Sequence, residues 1–110
     1  RESEIPSYPI AGFREGKEQH QTIHHSLVVM VYARNELDYS RAAVVASKKI
    51  GNAVIRNRTR RRIRACLSGF WMNVKPGRDF IFYARQRVVD AQYSEIQNAI
   101  LHLLEEAGAL

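Results

Sequence analysis

The chain has 110 residues, 45% hydrophobic and 25% charged, which fits one domain burying roughly two-thirds of its unfolded surface and excludes a multidomain architecture. Its formal charge is +6, yet eight lysines and arginines and no acid lie between Ser47 and Arg64, so the remainder of the chain sums to −2. A local cationic site on a near-neutral body points to a polyanion bound at one face and argues against a charge spread for general solubility.

Taken in order, the first twelve residues, RESEIPSYPIAG, carry Pro6, Pro9 and Gly12 and are expected to be irregular, with a short turn or helix holding Ile10 and Phe13 before Gly16. The stretch KEQHQTIHHS reads as a loop. From Leu27 to Tyr32, LVVMVY is β-branched and apolar and predicts a strand. RAAVVAS (41–47) predicts its partner, and the intervening NELDYS suits an antiparallel hairpin with a loop of about 5–7 residues. Gly51-Asn52 breaks that strand, with Asn52 the expected N-cap of a helix over about 53–70. There Ile55, Ile63, Cys66, Leu67 and Phe70 share one side, with Thr59 filling the turn between the first two.

After the breaker NVKPG (73–77), DFIFYA (79–84) predicts another strand, and a helix joining 41–47 to 79–84 makes a β-α-β unit with parallel strands. Ile96, Ile100, Leu103, Leu104 and Ala107 then predict an amphipathic closing helix, capped by Asp90 or Ser94. Neither a repeat nor a linker divides the chain, so residues 1–110 are expected to form a single domain.

Between Arg56 and Arg64 stand six arginines, whose pairs four apart each cost a few tenths of a kcal/mol in an isolated helix. Helix stability does not account for them. The planar guanidinium fork suits phosphate oxygens, and donors around most of the exposed circumference suit a folded RNA better than a flat lipid plane. Three plainer readings stay open on the residues alone: a solvated basic face, a localisation or calmodulin-type segment, and a helix reading the DNA major groove.

SKKIGNAVIRNRTRRRIR (47–64) resembles the signature of the bacterial ribonuclease P protein family, built on an Arg-Asn-Arg element that Arg56-Asn57-Arg58 matches. The similarity extends through FREGK (13–17), the strands to Ser47, a Gly-x-Asp-strand unit at Gly77 to Arg85 and the closing helix. The resemblance implies an α+β fold, a compact α-β sandwich with a mixed, mostly antiparallel sheet. In that fold, ribosomal protein S5 domain 2-like, a left-handed β-α-β crossover carries the Arg-rich helix. It implies further that Lys48, Lys49, Arg56, Asn57, Arg58, Arg60, Arg61 and Arg64 bind the catalytic RNA, and that Phe13 meets the single-stranded 5′ leader of precursor tRNA by sequence-tolerant stacking. Where the family carries a second aromatic one turn before Phe13 this chain has Pro9, so either that helix is shortened or Tyr8 takes the role.

On this resemblance the chain is the accessory subunit of an endoribonuclease, with hydrolysis carried by the RNA and its Mg2+, no cofactor bound by the protein alone and no activity of the isolated protein. The partners implied are ribonuclease P RNA and precursor tRNA, with no membrane and no DNA. A ribosomal or other structural RNA-binding protein is the alternative. The scattered carboxylates Glu15, Glu18, Glu36, Asp38 and Asp79 suggest no nuclease metal site. His20, His24 and His25 lack a companion acid or cysteine and read as solvated loop residues.

Tyr32, Phe82, Tyr83 and Trp71 read first as packing residues, with base stacking or shielding of the helix end as the rival. Cys66, on the apolar helix side, reads as a small hydrophobe, and a single cysteine suits a reducing compartment. No apolar run approaches the about 20 residues of a membrane span and no signal peptide is visible, so a cytoplasmic location is expected. Arg1 in place of Met suggests a trimmed or partial chain.

Overall fold

In RDFIFYA, Phe80, Ile81 and Phe82 are apolar in succession, so a strand made of them needs cover on both faces and a neighbour on both edges. The computed structural model, which describes residues 5–9 and 20–110, places it accordingly. Strand β1 (Gln21–His24), β2 (Val28–Arg34), β3 (Arg41–Val45) and β4 (Arg78–Ala84) form one sheet in the order β1-β2-β4-β3. β4 runs antiparallel to β2 and parallel to β3. Two helices, α1 (Ala53–Phe70) and α2 (Tyr93–Glu106), cover one face.

Register decides which side chains meet that layer. Met30, Phe82 and Val44 lie in one row across the strands, and Tyr32, Phe80 and Ala42 in the next. They pack with Ile63, Cys66 and Leu67 of α1 and Ile96, Ile100, Leu103 and Leu104 of α2. Trp71, just after α1, sets its ring edge-on to Phe80 with centroids 6.3 Å apart, so packing is its role. The other sheet face bears Val29, Tyr83 and Val45 in one row and Val31, Ile81 and Ala43 in the next, with Ile81 fully buried.

At the start of β4, Asp79 is a buried carboxylate with three side-chain donors. Arg41 reaches it through Nε at 2.9 Å and Nη2 at 2.8 Å, and Asn35 Nδ2 donates at 2.8 Å. One side chain thus ties the end of β2 and the start of β3 to the strand between them. Along the outer edge of β3, Tyr8 N–H donates to Ala42 O and Ala42 N–H to Pro6 O, so residues 6–8 cover what would be an open strand edge.

Three sequence expectations give way here. β2 and β3 do not pair as a hairpin; β4, whose Phe80, Ile81 and Phe82 are all fully buried, stands between them. The hairpin is instead β1–β2, and QTIH, expected to be loop, is a sheet-edge strand in which Ile23 is its half-buried side chain. α2 is capped at Gln92, not Asp90 or Ser94: a 3-10 turn over Gln86–Asp90 shifts the helix start, and the Glu95 carboxylate accepts from Gln92 N–H at 2.8 Å. The helix over 53–70, its Asn52 cap and the parallel β-α-β unit are as expected.

Replacing Asp79 by Ala leaves the Arg41 guanidinium without its acceptor in a part-buried site and the Asn35 amide with only the longer bond to Tyr39 O. Urea unfolding should show a loss of about 2–4 kcal/mol; a loss within experimental error would mean that the three-way tie contributes nothing.

His25, in the β1–β2 turn, accepts from Leu27 N–H through Nδ1 at 3.1 Å, and its ring lies 6.2 Å from that of His102 on α2. Burial first, and the charge of His102 second, hold its pKa below the ordinary 6.5. The folded state therefore prefers neutral His25. Its contribution is complete above 6.5 and is lost as pH falls through that value toward the lowered one. Between about pH 7.5 and 5 the urea midpoint of the His25→Asn variant should fall less than that of the parent protein.

Candidate nucleic-acid interface

Two glycine and asparagine positions decide how the basic residues are presented. After β3, Lys48–Ile50 makes a single 3-10 turn that buries Ile50 and leaves Lys48 and Lys49 exposed. Gly51 then takes φ +152°, where a Cβ would sit 3.1 Å from Ile55, so the chain reverses into α1 at a residue that only glycine fits well. Asn52 caps the helix, its Oδ1 accepting from Ile55 N–H at 3.0 Å.

Along α1 the buried side chains are Thr59, Ile63, Cys66 and Leu67. Advancing 100° per residue, Asn57, Arg61 and Arg64 project from the opposite side, with Arg58 and Arg60 on its two flanks. Asn57, Arg58 and Arg61 are exposed, while Arg56, Arg60, Arg62 and Arg64 are half-buried. Like-charge neighbours on such a helix cost about 1–2 kcal/mol altogether. Burying Ile63 and Leu67 contributes roughly 1.5–3 kcal/mol each, so packing holds the charges together.

Three of these arginines have identified hydrogen-bond partners. Arg56 Nη1 donates to Gly51 O at 2.9 Å, fastening the lysine turn to the helix start. Arg60 donates to the Asn57 side chain. Arg62 Nη2 donates to Ala91 O at 2.7 Å, linking α1 to the segment before α2. Among the described residues the ion pairs are Arg41–Asp79 and His102–Glu106, so no carboxylate neutralises any arginine of α1.

Sequence reasoning missed a further basic element. Because β3 and β4 are parallel, the segments leaving their C-terminal ends emerge at the same end of the sheet, and the turn Gln86–Asp90 packs against Lys48–Ile50 and α1. It brings exposed Arg85 and Arg87 alongside the lysine turn, with exposed Asp90 as its acid. No local signal marks them; the signal is the β-α-β connection itself.

The proposed leader residues are placed differently. Tyr8 stacks over the Arg41 guanidinium, 4.9 Å from Cζ to the ring centroid, at the start of β3 and thus at the opposite strand end from Lys48 and Lys49. Phe13 lies outside the described residues. Of the histidines, His20 and His24 are exposed, and His24 belongs to β1 and not to a loop. Among the described residues no three His, Cys, Asp or Glu side chains are grouped to hold a metal ion. Cys66 is buried, and burial pushes its thiol pKa up against the smaller opposing effects of a Tyr93 hydrogen bond and of Arg62. None of the described helices is long and apolar enough to cross a membrane.

The family model described as Ribonuclease P matches residues 11–108. A ribonuclease P protein component of Geobacillus thermodenitrificans is 38% identical over 98 residues, covering 89% of this chain and 78% of its own. A solved ribonuclease P protein of Staphylococcus aureus superposes with a TM-score of 0.82 at 29% identity, covering 96% of both chains. A second structure, of a mutant of the S. aureus protein with defective mRNA degradation activity, gives 0.85 at 28% identity over 99% of this chain and 92% of that one.

Proposed function

The chain belongs to the ribonuclease P protein family and is the protein subunit of ribonuclease P, and on that premise we propose that α1 and its flanking turns are the surface on which it holds RNA. The observation that carries this is the row of arginines that no carboxylate of the described residues neutralises, on a helix whose other side is fixed in the core. Lys48, Lys49, Arg56, Asn57, Arg58, Arg60, Arg61 and Arg64 contact the phosphate backbone of the ribonuclease P RNA, and Arg85 and Arg87 extend that surface. Phe13 meets the 5′ leader of precursor tRNA by stacking, and Tyr8, whose ring lies over the Arg41 guanidinium at the sheet edge, is the second candidate for that contact.

Leader removal is then a division of labour. Hydrolysis belongs to the RNA subunit and its Mg2+, and this chain supplies binding and orientation in the cytoplasm, where precursor tRNA is processed. Isolated protein has no part in bond breaking under this reading. Because the mutant S. aureus relative is defective in an mRNA degradation activity, the RNA-free protein is a necessary control.

The decisive measurement is single-turnover cleavage of a precursor tRNA by a bacterial ribonuclease P RNA at low magnesium, with and without this protein. Strong stimulation is expected, and it should be lost in the Arg58→Gln/Arg61→Gln variant, whose two side chains are exposed. With about five phosphate contacts, log K against log salt should slope by roughly −3.5 to −4.5. Binding without stimulation would support a structural RNA-binding protein instead, and metal-dependent cleavage by RNA-free protein would make the chain a nuclease.

Phe13→Ala should weaken precursor binding more than mature tRNA binding. Equal loss for both would remove Phe13 from the leader site.

A further inference from the structure

Arg62 stands apart from the other arginines of the run. Its guanidinium donates to the carbonyl of Ala91, 29 residues away, at 2.7 Å in a part-buried position. A charge-assisted bond to a backbone carbonyl fixes a place in the chain, not a side chain that can rotate away. Ala91 directly follows the turn Gln86–Asp90, and its own N–H donates to Val88 O at 3.2 Å.

That turn has two further anchors. Val88 is buried in the core, and Arg85 N–H donates to Leu27 O at 2.9 Å. These two fix its start and its middle. The Arg62 bond fixes its end, and it does so on the helix that carries the phosphate-binding side chains. Arg58, four residues before Arg62, shares its helix flank, so the flank tied to the turn is itself basic.

We propose that Arg62 is a positioning residue for RNA binding: it holds the turn after β4 against α1, so that Arg87, with Arg85, meets phosphate in register with the helix arginines. The proposal rests on the RNA-binding reading of α1 given above. Arg87 is exposed and within the described residues has no carboxylate partner, although Asp90 lies in the same turn. Unlike Arg58 or Arg61, Arg62 acts through backbone and contributes no phosphate contact of its own.

The test is a double-mutant cycle on affinity for a bacterial ribonuclease P RNA, using the full chain at a temperature where circular dichroism shows every variant folded. Arg62→Met keeps the apolar stem and removes the donor. It should weaken binding about threefold or more in the parent protein and by less than about 1.5-fold in an Arg85→Gln/Arg87→Gln background, since the residues through which it acts are then already gone. In the parent background, amide exchange at Ala91 and Gln92 should also rise.

Equal losses in both backgrounds would mean that Arg62 touches RNA itself, and no loss in either would leave it merely structural; both overturn the proposal. Wild-type binding by Arg58→Gln/Arg61→Gln would overturn the helix reading and this proposal with it, whereas the cycle alone can fail while the helix reading stands.

Discussion

The position of β4 between β2 and β3 is the constraint on which the other features depend. Its Phe80, Ile81 and Phe82 are all fully buried, and its place in the sheet makes β3–α1–β4 a parallel crossover. Parallel neighbours cannot be joined by a tight turn, so a long connection must cross the sheet face. In this chain that connection is the arginine helix. The same parallel pairing sends the segments after β3 and after β4 to one end of the sheet, which is how Lys48 and Lys49 come to lie beside Arg85 and Arg87.

Charge and packing then divide the helix between them. Repulsion among the arginines is small beside the burial of Ile63, Cys66 and Leu67 against the sheet and α2, so the helix needs no acidic partner to form. The acids of the described residues lie elsewhere: Glu36 and Asp38 in the β2–β3 connection, Asp79 beneath Arg41, and Asp90, Glu95, Glu105 and Glu106 on or just before α2. An arginine with a carboxylate partner would have to break that pair to meet a phosphate. Segregating the acids leaves the helix cations available at no such cost.

Much of the fold was legible because the relevant signals are local. Asn52 as cap, the apolar spacing from Ile55 to Phe70 and the breaker at 73–77 bracket α1. The parallel β3–β4 pair followed from the helix between them. What was not legible depends on choices between distant segments. LVVMVY and RAAVVAS are adjacent strands in sequence, and adjacency favours pairing. In the fold β4, with Phe80, Ile81 and Phe82 all fully buried, takes the place between them. QTIH was unreadable as a strand because an edge strand with one half-buried residue, Ile23, needs little apolar content. At the site, the arginine run announced itself by density, whereas Arg85 and Arg87 gain meaning only from the neighbour that tertiary structure gives them. Nothing in sequence could show that Tyr8 lies over Arg41.

The most demanding connection of this fold and its proposed RNA surface are therefore the same eighteen residues, and that has a consequence for how the helix tolerates change. A binding helix appended to a finished domain could lose its apolar side with little effect on the rest. Here Ile63 and Leu67 hold the crossover that allows β4 to lie parallel to β3, so truncating either weakens the whole sheet as well as the surface. Asn57, Arg58 and Arg61, a few ångströms around the same cylinder, carry none of that burden. Between these limits stand Arg56 and Arg62, whose heads are fastened to Gly51 O and Ala91 O. Their bonds run from the helix to the turns at either side of it, so the relative placement of three basic elements is set within the fold. A surface placed in advance loses less conformational entropy on binding than one assembled on contact. For a cationic site that must engage an irregular polyanion, this is the physical advantage of mounting it on the crossover helix.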